Sequence, residues 1–204
     1  MLKELFEGHF YGTFPKIADR VVNLTEHIQT GSFSLLDPKA CQGCRFICDS
    51  ESERREQMRV DSAFPVNSIS LDETFSYVKE ELGETSDFLL ETNGTAAVVE
   101  MTCSTTDYVT EKRQKARRQL YNTLRILMTN PIVRQHIERL NTRLAVFSWR
   151  ETFDSSLAAG DPVEEIMTGM TVMADGAYSP DNESKFDFGF KLKEIRYPHA
   201  LVMN

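Results

Sequence analysis

Residues 86–119 read SDFLLETNGTAAVVEMTCSTTDYVTEKRQKARRQ, a hairpin that runs into a helix. Two runs rich in apolar and β-branched residues, Phe88–Leu90 and Ala96–Met101, flank Asn93-Gly94. Asn-Gly between such runs is a strong hairpin signal, because a type I′ turn needs positive φ at both central residues. With a two-residue loop, Thr92 pairs with Thr95, Glu91 faces Ala96, Leu89 faces Val98 and Asp87 faces Glu100. Directly opposed residues share a face, with Cβ atoms about 5 Å apart. Two carboxylates so placed repel each other unless a divalent cation lies between them.

Thr102 continues the face that carries Glu100, and after a short polar loop a helix is expected from about Thr110. At about 100° per residue, Ala116, Leu120, Leu124 and Leu127 form its apolar stripe. Lys112 lies at the edge of that stripe, so its stem is expected to lean toward the hairpin. Lys115 lies farther round and reads as a solvated charge.

An Asp, an acid on the next strand and a nearby lysine are the parts of a metal-dependent phosphodiesterase. The acids hold Mg²⁺ or Mn²⁺, the metal activates water and steadies the leaving oxygen, and the lysine offsets charge on the phosphate. The arrangement resembles the PD-(D/E)XK nuclease superfamily. More narrowly, it resembles the cap-snatching endonuclease at the N-terminus of bunyavirus L polymerases. The likeness is carried by Ser86-Asp87, where the family usually has Pro-Asp, by Val99-Glu100-Met101-Thr102, a Val-Glu-x-Thr strand, and by Glu111-Lys112, a Glu-Lys pair at the helix entry. In this group the lysine has moved from the strand to the helix, so Thr102 at the usual lysine position is expected.

The resemblance implies cleavage of capped host messenger RNA to prime viral transcription. The chain would then be one endonuclease domain of a larger viral polymerase, in host cytoplasm and virion. It also implies a metal-ligating histidine on an early helix and one further acid before the hairpin. His9, in Gly-His-Phe-Tyr-Gly, is the first candidate histidine and His27 the competitor. Asp61 is the first candidate acid, with Asp72 and Glu73 as alternatives. Imidazole suits Mn²⁺ better than Mg²⁺, so a histidine ligand would make Mn²⁺ the preferred ion. The alternatives are a PD-(D/E)XK DNA nuclease of a phage or mobile element, and a nuclease-like fold used only for binding.

The chain has 204 residues with 41% hydrophobic content, enough for one substantial domain with a core at about 15–150 and a C-terminal extension at 151–204. No run of about 18 apolar residues predicts a membrane span, and Met1-Leu2-Lys3-Glu4 does not open like a signal peptide. The net charge of −8 makes a poor generic binder of nucleic acid. The exception is Lys112–Arg118, with five Lys or Arg in seven residues, beside the proposed site.

Elsewhere, Met1–Phe10 reads as a short helix, and Ile17, Val21, Leu24 and Ile28 as the stripe of a second one opened by Pro15. Cys41, Cys44 and Cys48 could hold zinc but read more simply as reduced thiols. Asp49–Glu56, with six charged residues in eight, reads as a solvated segment. Asp72–Leu82 reads as a helix capped by Ser70 or Asp72 and ended by Gly83, Ile132–Leu140 as a helix after the Asn130-Pro131 break, and Leu144–Phe147 as a buried strand. Pro162–Met173 reads as a helix, Asp175–Ser184 as a loop, and the alternation through Phe186–Tyr197 as a strand. The expected fold is α/β, a mixed central sheet carrying the hairpin and flanked by helices.

Overall fold

The hairpin forms in the register that the acids require. The computed structural model describes residues 2–14, 22–35, 58–78, 82–104, 109–151, 183–197 and 199–204. Strands β3 (Phe88–Thr92) and β4 (Thr95–Ser104) pair antiparallel with Thr92 opposite Thr95 and Phe88 opposite Val99. Gly94 has φ 99°, but Asn93 stays in the ordinary negative-φ region. The turn is therefore not type I′. Gly94 alone supplies the positive φ, and its carbonyl accepts from the Thr142 amide at 2.9 Å, which ties the turn to the next strand.

Around the hairpin lies a mixed eight-stranded sheet in the order β1-β2-β3-β4-β5-β7-β6, with β8 paired to β2. Strands β1 (Glu26–Leu35) and β2 (Met58–Ser70) extend the antiparallel side. Strands β5 (Thr142–Glu151) and β7 (Lys191–Arg196) run parallel to β4, and β6 (Glu183–Lys185) closes that side antiparallel. Strand β8 (Ala200–Val202) runs parallel to β2. Helices α1 (Leu2–Leu5), α2 (Leu71–Ser76), α3 (Val109–Thr129) and α4 (Pro131–Glu138) complete the α/β fold.

Two apolar clusters hold the two faces of the sheet. On the helix face, Leu89 and Val98 meet Ala116, Leu120, Leu124 and Leu127, the stripe expected for α3. Each of its three leucines is wholly buried, and such burial is worth about 2 kcal/mol per side chain. On the other face, Leu90, Ala97, Val99, Leu144 and Val146 pack with Phe33, Leu35, Met58, Val60, Leu201 and Met203. The far ends of β1 and β2 thus fold over that face. The pairing shifts between Gln29 and Gly31, where Gly31 has φ 86°, and Pro65 stands in the unpaired stretch of β2.

Several expectations need correction. The helix proposed from Pro15 to Ile28 does not reach its end: Glu26–Leu35 is a strand, and Ile28 is exposed on it. Pairing with β2 outweighs a weak helical stripe, since tertiary context overrides local propensity. The first helix turns into a wider π turn over Phe6–Phe10 and a tight turn over Tyr11–Thr13. Helix α2 stops at Ser76, though Ser70 caps it as expected, its hydroxyl accepting from the Glu73 amide at 3.2 Å. The strand expected over Phe186–Tyr197 is confined to Lys191–Arg196; Phe186–Phe190 is the turn that joins it to β6. The segment 15–21, Cys41, Cys44 and Cys48, Asp49–Glu56 and Pro162–Met173 lie outside the described residues, as does most of the loop expected at Asp175–Ser184. Among the described residues no helix is long and apolar enough to cross a membrane.

Candidate functional site

Asp87 is fixed by nearly every polar group it owns. Its amide donates to the Val99 carbonyl at 3.0 Å and its carbonyl accepts from Leu71 at 2.8 Å. Its carboxylate Oδ2 accepts from the Met101 amide at 2.7 Å, in place of the backbone oxygen a regular ladder would supply. The preceding segment is fastened to α3. Asn122 Nδ2 donates to the carbonyls of Leu82 and Glu84 at 2.7 and 2.8 Å, Gln119 Nε2 donates to the Thr85 carbonyl at 3.1 Å, and the Ser86 amide donates to Thr123 Oγ1 at 2.8 Å. Ser86 is wholly buried. A proline there, as in the family the motif resembles, would have no N–H to give Thr123.

This clamp sets Asp87 at the end of β3, where the pairing register brings it beside Glu100. Both carboxylates are buried, at 3% and 7% exposure, although both line an open cleft of about 170 Å³. Met101, Thr102, Lys112, Lys115, Ala116 and Gln119 complete its lining. The strands thus supply two acids and α3 supplies two lysines across from them.

The lysines differ. Lys115 makes an ion pair with Glu84 at 3.1 Å, while Lys112 is exposed and has no ion pair among the described residues. Lys115 was expected to point away from the cleft but lines it. The cleft sits on the flank of the apolar stripe, and residues three apart on a helix lie about 60° apart, so both lysines border it. Arg113 is occupied elsewhere, bidentate on Glu194 of β7 at 2.8 and 2.7 Å. That contact raises the pKa of its guanidinium above the usual arginine value.

The other expected ligands lie elsewhere. His9 is exposed, and its carbonyl accepts from Asn130 Nδ2 at 3.1 Å. Asn130 follows the end of α3, eighteen residues past Lys112 and so roughly 27 Å along the helix axis. Asp61 sits mid-strand on β2 opposite Ser32 and Val202, ten positions before Leu71. His27 is on the edge strand β1, opposite Ser68, with β2 between it and the hairpin. Asp72 opens α2 beside Leu71, whose amide bonds Asp87, so of the proposed further acids its backbone comes nearest. It does not line the cleft.

A third buried acid carries no signal in the sequence. Glu91 shares the face of Asp87 and Leu89 and meets His136 Nε2 of α4 at 2.6 Å. Removing the imidazole would strand a carboxylate that is 4% exposed. His136→Ala is therefore expected to cost about 2 kcal/mol in urea unfolding. The double variant Glu91→Leu, His136→Leu should recover most of it, whereas equal losses in both would mean that the pair itself matters little.

The donor set fits a hard divalent ion. Two carboxylates supply oxygen ligands, and Mg²⁺ and Mn²⁺ accept water for the rest. Among the described residues no group of three or more His, Cys, Asp and Glu side chains is poised for a metal, and no imidazole lines the cleft. No protein-family model, no curated protein and no solved structure matches the chain.

Proposed function

We propose that the chain is a divalent-cation-dependent endonuclease that cleaves single-stranded RNA in the cleft between β3, β4 and α3. One observation carries the reading: two buried carboxylates and two lysines converge on one open cleft. Buried acids set side by side are costly to keep charged, and a nearby cation offsets that cost. Asp87 and Glu100 would hold the Mg²⁺ or Mn²⁺, which would supply an activated water and charge stabilisation at the leaving oxygen. Asp87 is held for this by its bond from Met101 and by the α3 clamp. Lys112 would set its ammonium against the phosphate, its stem lying along the helix flank. Lys115 would add positive charge at the same wall, restrained by Glu84. Thr102 offers a hydroxyl at the cleft edge.

The motif resemblance extends the proposal to priming viral transcription with fragments of capped messenger RNA, as part of a viral polymerase. The test compares unstructured RNA, capped and uncapped, with single-stranded DNA of the same sequence, in EDTA, Mg²⁺ and Mn²⁺. Internal cleavage of RNA that needs either ion and spares DNA is expected. DNA cleavage at equal rate would move the chain to the DNA nucleases, and no cleavage of either would leave a binding module.

A further inference from the structure

A ridge of basic and aromatic side chains leads out of the cleft along α3. Lys112, Lys115, Arg118 and Tyr121 follow one another at three-residue steps, so each is the surface neighbour of the next. Nine residues of helix carry the ridge about 13.5 Å along the axis and, at about 60° per step, half-way round α3. Arg118 is exposed, with no ion pair among the described residues, and Arg125 lies one turn beyond Tyr121. The ridge ends on a pair of rings. Tyr121 and Phe188 are 44% and 39% exposed, with ring centroids 5.9 Å apart and planes inclined by 32°.

The turn that presents Phe188 is specialised. It joins β6 to β7 and is closed by bonds from Phe186 N to Phe190 O at 2.9 Å and from Phe190 N to Asp187 O at 3.1 Å. Phe190 is buried and Phe186 packs against the core, with Arg117 over its ring at 5.7 Å. Phe188 between them points outward, and among the described residues it is the one non-glycine residue with positive φ, at 57°. A bulky residue in that region is costly and persists when its surroundings hold it there. Gly189 follows at φ 76°, with Arg143 against it.

The geometry points to a base-stacking platform, formed by Tyr121 and Phe188, for single-stranded RNA leaving the cleft. The inference rests on the nuclease reading for its substrate. Aromatic faces accept any base, and a basic track beside them follows the phosphates, which is how strands are held without sequence preference. Charge complementarity singles out a polyanion: in a chain of net charge −8, the ridge gathers Lys112, Lys115, Arg118 and Arg125. The acids at its margins include Glu84, Asp187 and Glu111, which lies one turn before Lys115 on α3.

The test is anisotropy of a fluorescein-labelled unstructured RNA in EDTA at low salt, where binding is read without cleavage. Tyr121→Ala and Phe188→Asn should each weaken binding about tenfold. Asn tolerates the left-handed backbone, so the second variant removes the ring without refolding the turn. Tyr121→Trp should keep wild-type affinity. A ribose-phosphate oligomer lacking bases should bind wild type and variants alike. Wild-type affinity for RNA in both variants overturns the platform and leaves the rings to a protein contact. An equal loss on the baseless oligomer, or wild type that does not bind RNA, overturns it too. Cation-dependent cleavage with unaltered binding removes the platform alone, whereas ring-sensitive binding without cleavage removes the nuclease reading and keeps the platform.

Discussion

Glu100→Gln and Asp87→Asn should each cut RNA cleavage on the order of a thousandfold, about 4 kcal/mol of barrier. Both substitutions preserve size and remove one charge from a buried pair. The amide variants are the sharper choice. Asp87→Ala would also strand the Met101 amide that the carboxylate accepts, a loss of about 1–3 kcal/mol in stability. Asn can still accept that bond through its side-chain oxygen. Without cation, the variants should melt no lower than the wild type. Two carboxylates buried side by side cost stability when no cation lies between them, and each variant removes one member of the pair. Single-turnover cleavage beside melting curves measures both effects. A variant that cleaves normally would take its carboxylate out of the chemistry.

The second large effect belongs to Lys112. Lys112→Ala should lose about a hundredfold in rate, as for removal of one group that stabilises transition-state charge. It should keep full cation stabilisation, because an ammonium binds no cation. Lys115→Ala should lose less, since its ammonium is already engaged by Glu84 at 3.1 Å. Both lysines border the cleft, however, so the double variant should fall below Lys112→Ala alone. Glu84→Gln should leave or raise the rate by releasing Lys115. If Lys115→Ala is inactive and Lys112→Ala active, their roles are exchanged. Full activity in the double variant would remove lysine from the mechanism.

The hairpin was legible because several local signals agreed on one register. That register survived although the turn is not type I′, since the apolar runs and Gly94 alone suffice to set it. The apolar stripe of α3 was legible from its period, and the polar residues on its flank were not. Gln119, Asn122 and Thr123 clamp residues 82–86 through backbone atoms, and no sequence pattern marks backbone partners. Strands β1 and β2 escaped because their buried positions are irregular around the bend at Gly31 and Pro65. The evenly spaced Phe186, Phe188 and Phe190 imitated a strand, because a turn with one left-handed residue also exposes the middle of three rings. His9 and Asp61 came from the family resemblance alone, and neither lines the cleft. Among the described residues no imidazole lines the cleft, so nothing there favours Mn²⁺ over Mg²⁺, and both ions should serve.

The most direct measurement is the melting curve of the wild-type chain in EDTA, in Mg²⁺ and in Mn²⁺, beside Glu100→Gln. An ion at a hundred times its dissociation constant adds about 2.7 kcal/mol to stability, and about 1 kcal/mol moves the midpoint of a chain this size by about 2–4 °C. The account predicts a rise of roughly 5–10 °C with either ion in the wild type and none in Glu100→Gln. A wild-type midpoint indifferent to both ions, or an equal rise in the variant, would contradict the claim that Asp87 and Glu100 form a cation site.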